Sequence, residues 1–285
     1  VAKIGVQGMM LKERIARDGV YATLKAISDL GYHSIEMSQV PMTPENVAEM
    51  LRAKQEFGMA FAAISAPVEA LMPGTEALAS DYDKIVADAR TLEAKILRIP
   101  MLPFNAMASK DALLHFVNVT AGFATRLVAE GLSLVYHNHH VEFSKFDGRT
   151  MMQIIREAAP DLRYEVDVHW IQRSGINPVT YLHDYAGMVD LIHLKDYRIG
   201  NLPTEALELL KSGDHKGFMV QFSGIVQFAE VGEGNLEFPA IIDAALATGV
   251  QHLLVEQDDL YGRDALDCLV TSRDNLRSMG YAHLF

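Results

Sequence analysis

Residues 132–143 read LSLVYHNHHVEF. The apolar-rich run Leu132-Ser133-Leu134-Val135 passes into three histidines, an asparagine and a glutamate. A short apolar run of this kind fits a buried strand. A strand that runs out into imidazoles and a carboxylate builds a site at its C-terminal edge. Parallel α/β barrels carry their chemistry at that edge.

The same rhythm extends outward on both sides. Strand candidates lie upstream at 3–8 (KIGVQG), 33–38 (HSIEMS), 59–65 (MAFAAIS) and 95–100 (KILRIP). Downstream they lie at 162–168 (LRYEVDV), 189–195 (VDLIHLK) and 252–257 (HLLVEQ). Helical patterning fills the intervals at 18–30, 75–93, 109–130, 150–159, 178–185, 238–248 and about 262–279. A further helix opens at Thr43-Pro44-Glu45, a cap followed by proline in the first turn, and closes at Gly58. Gly31 and Gly249 stand where helix C-caps are needed.

Eight strand units alternating with helices predict a parallel sheet closed into a (β/α)8 TIM barrel, a single domain over residues 1–285. An open doubly wound sheet is the alternative. It carries a glycine-rich first turn, and Gly5-Val6-Gln7-Gly8-Met9-Met10 lacks that fingerprint. One interval is too long: His193 to Glu256 spans 63 residues (193 to 256). The surplus, 201–235, contains the alternating piece FMVQFSGIVQF and the glycine-rich VGEGN. It reads as a long loop insertion between strands seven and eight, with a hairpin lying over the barrel mouth.

Bulk composition narrows the function. With 49% hydrophobic and 22% charged residues the chain can fill a large core. A net charge of -12 argues against a nucleic-acid partner, including an abasic-site endonuclease built on this fold. Cys268 is the single cysteine, which excludes intrachain disulfides and a thiolate metal site. No run approaches ~18 uninterrupted apolar residues, so no membrane span is expected. The first residues enter a strand with no signal-peptide pattern, which predicts a cytoplasmic protein. Apolar outer helix faces such as 240–247 fit either the barrel wall or a second copy in a homo-oligomer.

Reading the later strand ends in order tests the opening observation. Strand five offers Glu142, strand six Asp167, strand seven His193 and strand eight Glu256. The gaps are 25 residues (142 to 167), 26 (167 to 193) and 63, the last enlarged by the insertion. Three carboxylates and an imidazole suit one divalent ion: Mn2+, Mg2+, Co2+ or Zn2+. Taken singly, His193 fits a hydrogen-bonded core histidine, and Asp167 and Glu256 fit salt bridges. Four successive strand ends favour ligation.

Strand alternation adds neighbours. His137 and His139 share a parity and should face inward, to bind substrate, relay a proton or support the ligands. Lys195, two residues past His193, points into the same cavity, toward a substrate oxygen or phosphate or toward Glu165. Glu36 and Arg98 fit an inward ion pair, and His140 a different direction.

These residues resemble a known family. H-N-H-x-x-E-F, E-x-D-x-x-W, H-x-K-D and V-E, on strands five to eight, are similar to those of the xylose isomerase-like TIM barrels. The resemblance is nearest to the sugar phosphate isomerase/epimerase group, with its inosose isomerases and dehydratases and its ketose 3-epimerases. Residues 231–236 (VGEGNL) also resemble a V-G-x-G-x-L/I segment of that group. The resemblance implies a metal held by a Glu–Asp–His–Glu quartet, falling on Glu142, Asp167, His193 and Glu256. Ketose 3-epimerases carry a substrate-binding histidine three residues after the metal aspartate. Trp170 stands there instead, as a flat wall for substrate or as packing.

The expected activity is a metal-dependent isomerase or epimerase of a sugar, sugar phosphate or polyol, working through a metal-stabilised enediolate. Glu142 and Glu256 would act as base and acid, with His137, His139, Trp170 and Lys195 binding a carbohydrate substrate. The alternative on the same scaffold is a lyase or dehydratase of a keto-inositol or 3-keto-glycoside. A non-catalytic sugar-binding protein is a further reading.

Overall fold

Strands that are apolar on both faces need a filled lumen on one side and a helical layer on the other. The computed structural model, which describes residues 2–70, 72 and 74–285, satisfies both demands. Among the described residues, eight parallel strands close into a barrel. They are β1 (Lys3–Gln7), β2 (Ser34–Met37), β3 (Ala60–Ser65) and β4 (Ile96–Ile99), then β5 (Ser133–His137), β6 (Arg163–Asp167), β7 (Val189–Leu194) and β8 (His252–Val255). Each pairs with its neighbours in sequence, and β8 returns to β1 with Lys3 opposite His252 and Val6 opposite Val255. The (β/α)8 barrel expected from the alternation is the observed architecture.

The lumen is layered by strand alternation. Ala63, Ile96, Val135, Leu191 and Leu254 belong to a small apolar cluster distinct from the large core that holds the helices. Two residues further along the same strands stand Arg98, His137, His193 and Glu256, all buried. The period of two therefore places an apolar plug below and a charged layer above, at the C-terminal mouth.

Local signals set the helix ends. The Thr43 hydroxyl accepts the Asn46 N–H at 3.2 Å, Pro44 occupies the first turn, and Gly58 closes the helix in the left-handed region. Thr150 and Gln153 form a reciprocal capping box. The 20-residue helix Lys110–Ala129 is long and apolar enough to match a membrane span, yet it packs Leu113, Phe116, Val117, Ala124 and Leu127 into the barrel wall.

The helix predicted over 18–30 forms as Val20–Asp29, and a further helix, Lys12–Asp18, precedes it across Gly19, whose φ of 88° and ψ of 163° end the one and start the other. The insertion carries more helix than its pattern suggests. Asp196–Ile199 and Val226–Ala229 form an antiparallel ribbon enclosing two helices, Thr204–Lys211 and His215–Ser223. The alternating piece 218–228 is thus half helical. Asp214 caps that helix by accepting the Gly217 N–H at 2.8 Å, and Phe218 stacks on Phe222 four residues on, at helical spacing.

The glycine-rich segment after the ribbon is clamped to its base. The Asp196 carboxylate accepts N–H groups from Gly232 and Gly234 at 3.0 Å and from Leu236 at 3.2 Å. A Cβ on Gly234 would fall 2.3 Å from the Tyr197 carbonyl oxygen, so this approach requires glycine.

Candidate metal centre

Four side chains converge where β5 to β8 reach the mouth: His137, Asp167, His193 and Glu256, all buried. One ligand-capable atom from each lies within 4.8 Å of the others. His193 Nδ1 is 2.8 Å from Glu256 Oε2 and 3.7 Å from Asp167 Oδ2, and His137 Nε2 is 3.5 Å from Asp167 Oδ2. The Lys195 ammonium reaches into the same ring, 2.7 Å from Glu256 Oε2 and 3.0 Å from Asp167 Oδ2. Two buried carboxylates and two imidazoles turned toward one point that already holds a positive charge fit a shared cation.

The opposite edges of the same side chains are occupied, which fixes their orientation. His137 Nδ1 lies 3.2 Å from the Pro100 carbonyl, which only accepts, so Nδ1 carries the proton and Nε2 is bare. His193 Nε2 meets Glu165 at 2.9 Å and Glu36 at 3.4 Å, leaving Nδ1 toward the cluster. Asp167 caps the helix Val168–Arg173 by accepting the Trp170 N–H on Oδ1 at 3.1 Å, which leaves Oδ2 inward. Asn138 clips β5 to β6: its Oδ1 accepts the Asp167 N–H at 3.0 Å and its amide donates to the Asp167 carbonyl at 3.4 Å.

The electrostatics suit cation binding. Burial, with Arg98 nearby, pushes His137 down to about 4, so it is neutral and able to ligate. Burial alone would raise Asp167 and Glu256, but Lys195 and the facing histidines hold both below the ordinary carboxylate range. His193 is held protonated, since the Glu165 and Glu256 charges outweigh its burial. A metal on Nδ1 would release that proton. Beneath, Arg98 pairs with Glu165 at 2.5 Å and Glu36 at 3.3 Å. Burial lifts Glu36 to about 8, so Glu165 is the ionised member of that pair.

The structure brings Asp167, His193 and Glu256 together as the strand ends suggested, but it does not bring Glu142 to them. The Glu142 carboxylate accepts the Tyr136 hydroxyl at 2.7 Å and the His139 N–H at 2.9 Å. The strand ends at His137, and Glu142 sits in the turn Val141–Phe143, where strand alternation no longer governs direction. Tyr136 faces the large outer core, and its hydroxyl draws the carboxylate there. His137 is the strand-five side chain among the four that converge, and Glu142 stands apart from them on Tyr136 and the His139 N–H. Lys195 also differs from the alternative partner weighed for it: it meets Asp167, Glu256 and Asp258, while Glu165 goes to Arg98 and His193.

Residues 24–270 match the xylose isomerase-like TIM barrel family. The chain belongs to that family. No curated protein matches it. Among solved structures it resembles a sugar phosphate isomerase/epimerase from Parabacteroides distasonis ATCC 8503, at 19% identity and a TM-score of 0.71, over 98% of this chain and 99% of that one. It also resembles an L-ribulose 3-epimerase at 15% identity and a TM-score of 0.69, over 100% and 96% of the two chains. The 3-keto-D-glucoside 4-epimerase of E. coli aligns at 14% identity and a TM-score of 0.65, over 98% and 99%. At such identities the likeness is one of fold.

In this xylose isomerase-like barrel a wall of rings covers the cluster. Trp170 stacks on His140 at 4.9 Å between centroids, tilts against His139 at 5.6 Å and meets Phe228 of the ribbon at 6.2 Å. His139 stands edge-on to His137 at 4.7 Å, and burial pushes it down to about 2, so it is a neutral ring. His140 is exposed, unlike the buried His137, so it faces a different direction and stacks on Trp170 from there. Two residues were not singled out by the sequence reading. His169 is fully buried with both ring nitrogens unpartnered, against Trp170, Tyr197 and Phe228. Asp258 lies two residues past Glu256 and touches Lys195. Its spacing from Glu256 was the available signal, whereas the partners of His169 come from a ribbon that the sequence pattern only half disclosed.

Proposed function

We propose that this chain is a divalent-metal-dependent isomerase or epimerase of a small sugar, sugar phosphate or polyol derivative. The observation that carries the reading is the convergence of four buried ligand-capable side chains, His137, Asp167, His193 and Glu256, with one such atom of each within 4.8 Å of the others. Two imidazoles and two carboxylates fit Mn2+, Co2+ or Zn2+ better than Mg2+, which prefers an all-oxygen shell. When bound, the ion supplies Lewis-acid polarisation of a substrate hydroxycarbonyl.

The chain's own residues do the rest. Glu256, ionised and at the mouth, is placed to take a proton from the carbon beside the carbonyl. Lys195 and His139 supply a donor charge and a neutral ring for substrate oxygens. The Trp170 wall limits water on one side. Glu142 holds the strand-five loop rather than the substrate. Return of the proton by Glu256 to the neighbouring carbon gives an isomer, and delivery of a solvent proton to the opposite face gives an epimer. The small buried site and the acidic chain support a small-molecule partner over nucleic acid.

The test is to incubate Mn2+-loaded protein with a panel of ketoses and 3-keto-glycosides in deuterium oxide. Solvent deuterium at a retained carbon of an isomerised product supports the reading. Loss of water or of an aglycone would assign a lyase instead.

A further inference from the structure

Lys195 lies where a divalent ion would have to contend with it. Its Nζ is 2.7 Å from Glu256 Oε2 and 3.0 Å from Asp167 Oδ2, the same two oxygens that face His193. A third carboxylate, Asp258, meets the ammonium at 3.0 Å from the mouth side. The lysine side chain is 2% exposed and that of Asp258 is 28% exposed. We propose that Lys195 is a resident counter-ion of the metal site, which an incoming divalent cation displaces toward Asp258. The inference rests on the metal-dependent reading above.

The argument is electrostatic and geometric. Asp167 and Glu256 are two buried carboxylates turned toward one spot, and such a pair cannot stay ionised without a cation between them. The ammonium supplies that charge beside the protonated His193, and it alone touches both carboxylates within 3.0 Å. A metal bonded to the same oxygens at about 2.0–2.2 Å would stand beside a like charge, so the two cations exclude each other. Arg98 cannot yield in this way, because Glu165 and Glu36 pin its fork in the layer below. Lys195 can: it is a point charge on a flexible stem, and Asp258 already accepts it on the outward side. The displaced ammonium ends beside the substrate's approach, where it can meet a substrate oxygen. One residue thus holds the metal-free barrel together and becomes a substrate contact once the metal is bound.

The experiment is a Mn2+ titration of the chelator-treated full chain, read by the electron paramagnetic resonance of free Mn2+. It compares wild type, Lys195→Met, Asp258→Asn and the double variant, with Lys195→Gln standing in if the methionine variant fails to fold. Lys195→Met should bind Mn2+ at least tenfold more tightly. Asp258→Asn should bind several-fold more weakly, because the ammonium has lost its alternative partner. In the Lys195→Met background the Asp258→Asn effect should shrink markedly. Equal or weaker binding by Lys195→Met overturns the proposal. So does the same Asp258→Asn factor in both backgrounds, which would mean simple through-space charge. Absence of Mn2+ uptake by all the folded proteins would instead remove the metal reading beneath it.

Discussion

Asp167 and His193 are register partners on adjacent barrel strands, and their facing atoms, Oδ2 and Nδ1, stand 3.7 Å apart. That is too far for a hydrogen bond, and each atom turns to a charged neighbour instead, Oδ2 to Lys195 at 3.0 Å and Nδ1 to Glu256 at 2.8 Å. Two buried polar atoms so placed are better served by a shared third atom than by each other. His137 and Glu256 complete the ring around that point.

Asp167→Asn keeps the cap and removes the charge. Asparagine caps a helix about as well as aspartate, so the cap on the helix Val168–Arg173 is retained. The metal-free variant should still lose about 3 kcal/mol of stability, because the buried Lys195 ammonium loses a counter-charge at 3.0 Å. Its Mn2+ affinity should fall on the order of 100-fold, a loss of the size seen when metal shells are disturbed. Calorimetric titration beside a thermal melt reads both quantities.

Glu142→Gln and Glu256→Gln should behave differently. Glu142 satisfies the Tyr136 hydroxyl and the His139 N–H away from the cluster. Its amide replacement should cost about 1–2 kcal/mol of stability and leave metal uptake close to wild type. Glu256→Gln should lose both metal affinity and turnover. Loss of metal uptake on Glu142→Gln would return the strand-five ligand to Glu142.

Asn138→Ala removes the clip between β5 and β6. The Asp167 N–H and carbonyl are then left without their side-chain partners in a buried place. A loss of about 1–3 kcal/mol in urea unfolding is expected. Metal affinity should also weaken, because the Asp167 backbone is no longer clipped to the end of β5.

His252 gives the fold a pH dependence away from the site. It sits at the start of β8, its Nδ1 2.9 Å from the Ser34 hydroxyl, and burial lowers it from 6.5 to about 4. A depressed folded value means the stability is present above pH 6.5 and is lost as the pH falls toward 4. The shift corresponds to about 3 kcal/mol over that window. His252→Asn should flatten this part of the profile, so its stability relative to wild type should improve as the pH drops. An unchanged slope in urea unfolding between pH 7 and 4 would contradict the assignment.

The barrel was legible because its signals are local and repeated. Strand runs at 132–135 and 189–194, caps at Thr43 and Thr150, and closing glycines at Gly58 and Gly249 each depend on a few adjacent residues. Three of the converging side chains were legible for the same reason. Asp167, His193 and Glu256 lie on or immediately after their strands, where a period of two dictates direction. The insertion was read less well. Residues 218–223 alternate like a strand, and only the Asp214 cap and the Phe218–Phe222 stack turn them helical.

His137 and Glu142 mark the boundary between the two kinds of information. The sequence by itself determined that strand five would bring donors to a ring of carboxylates and imidazole, because the alternation of eight β and α units admits little else. Which donor arrives was decided by tertiary structure. His137 is the last residue of its strand and is aimed by the lumen, whereas Glu142 lies beyond it in a turn whose direction no periodicity sets. There, a hydroxyl on the outer face of the strand, Tyr136, and one backbone N–H took the carboxylate out of the ring.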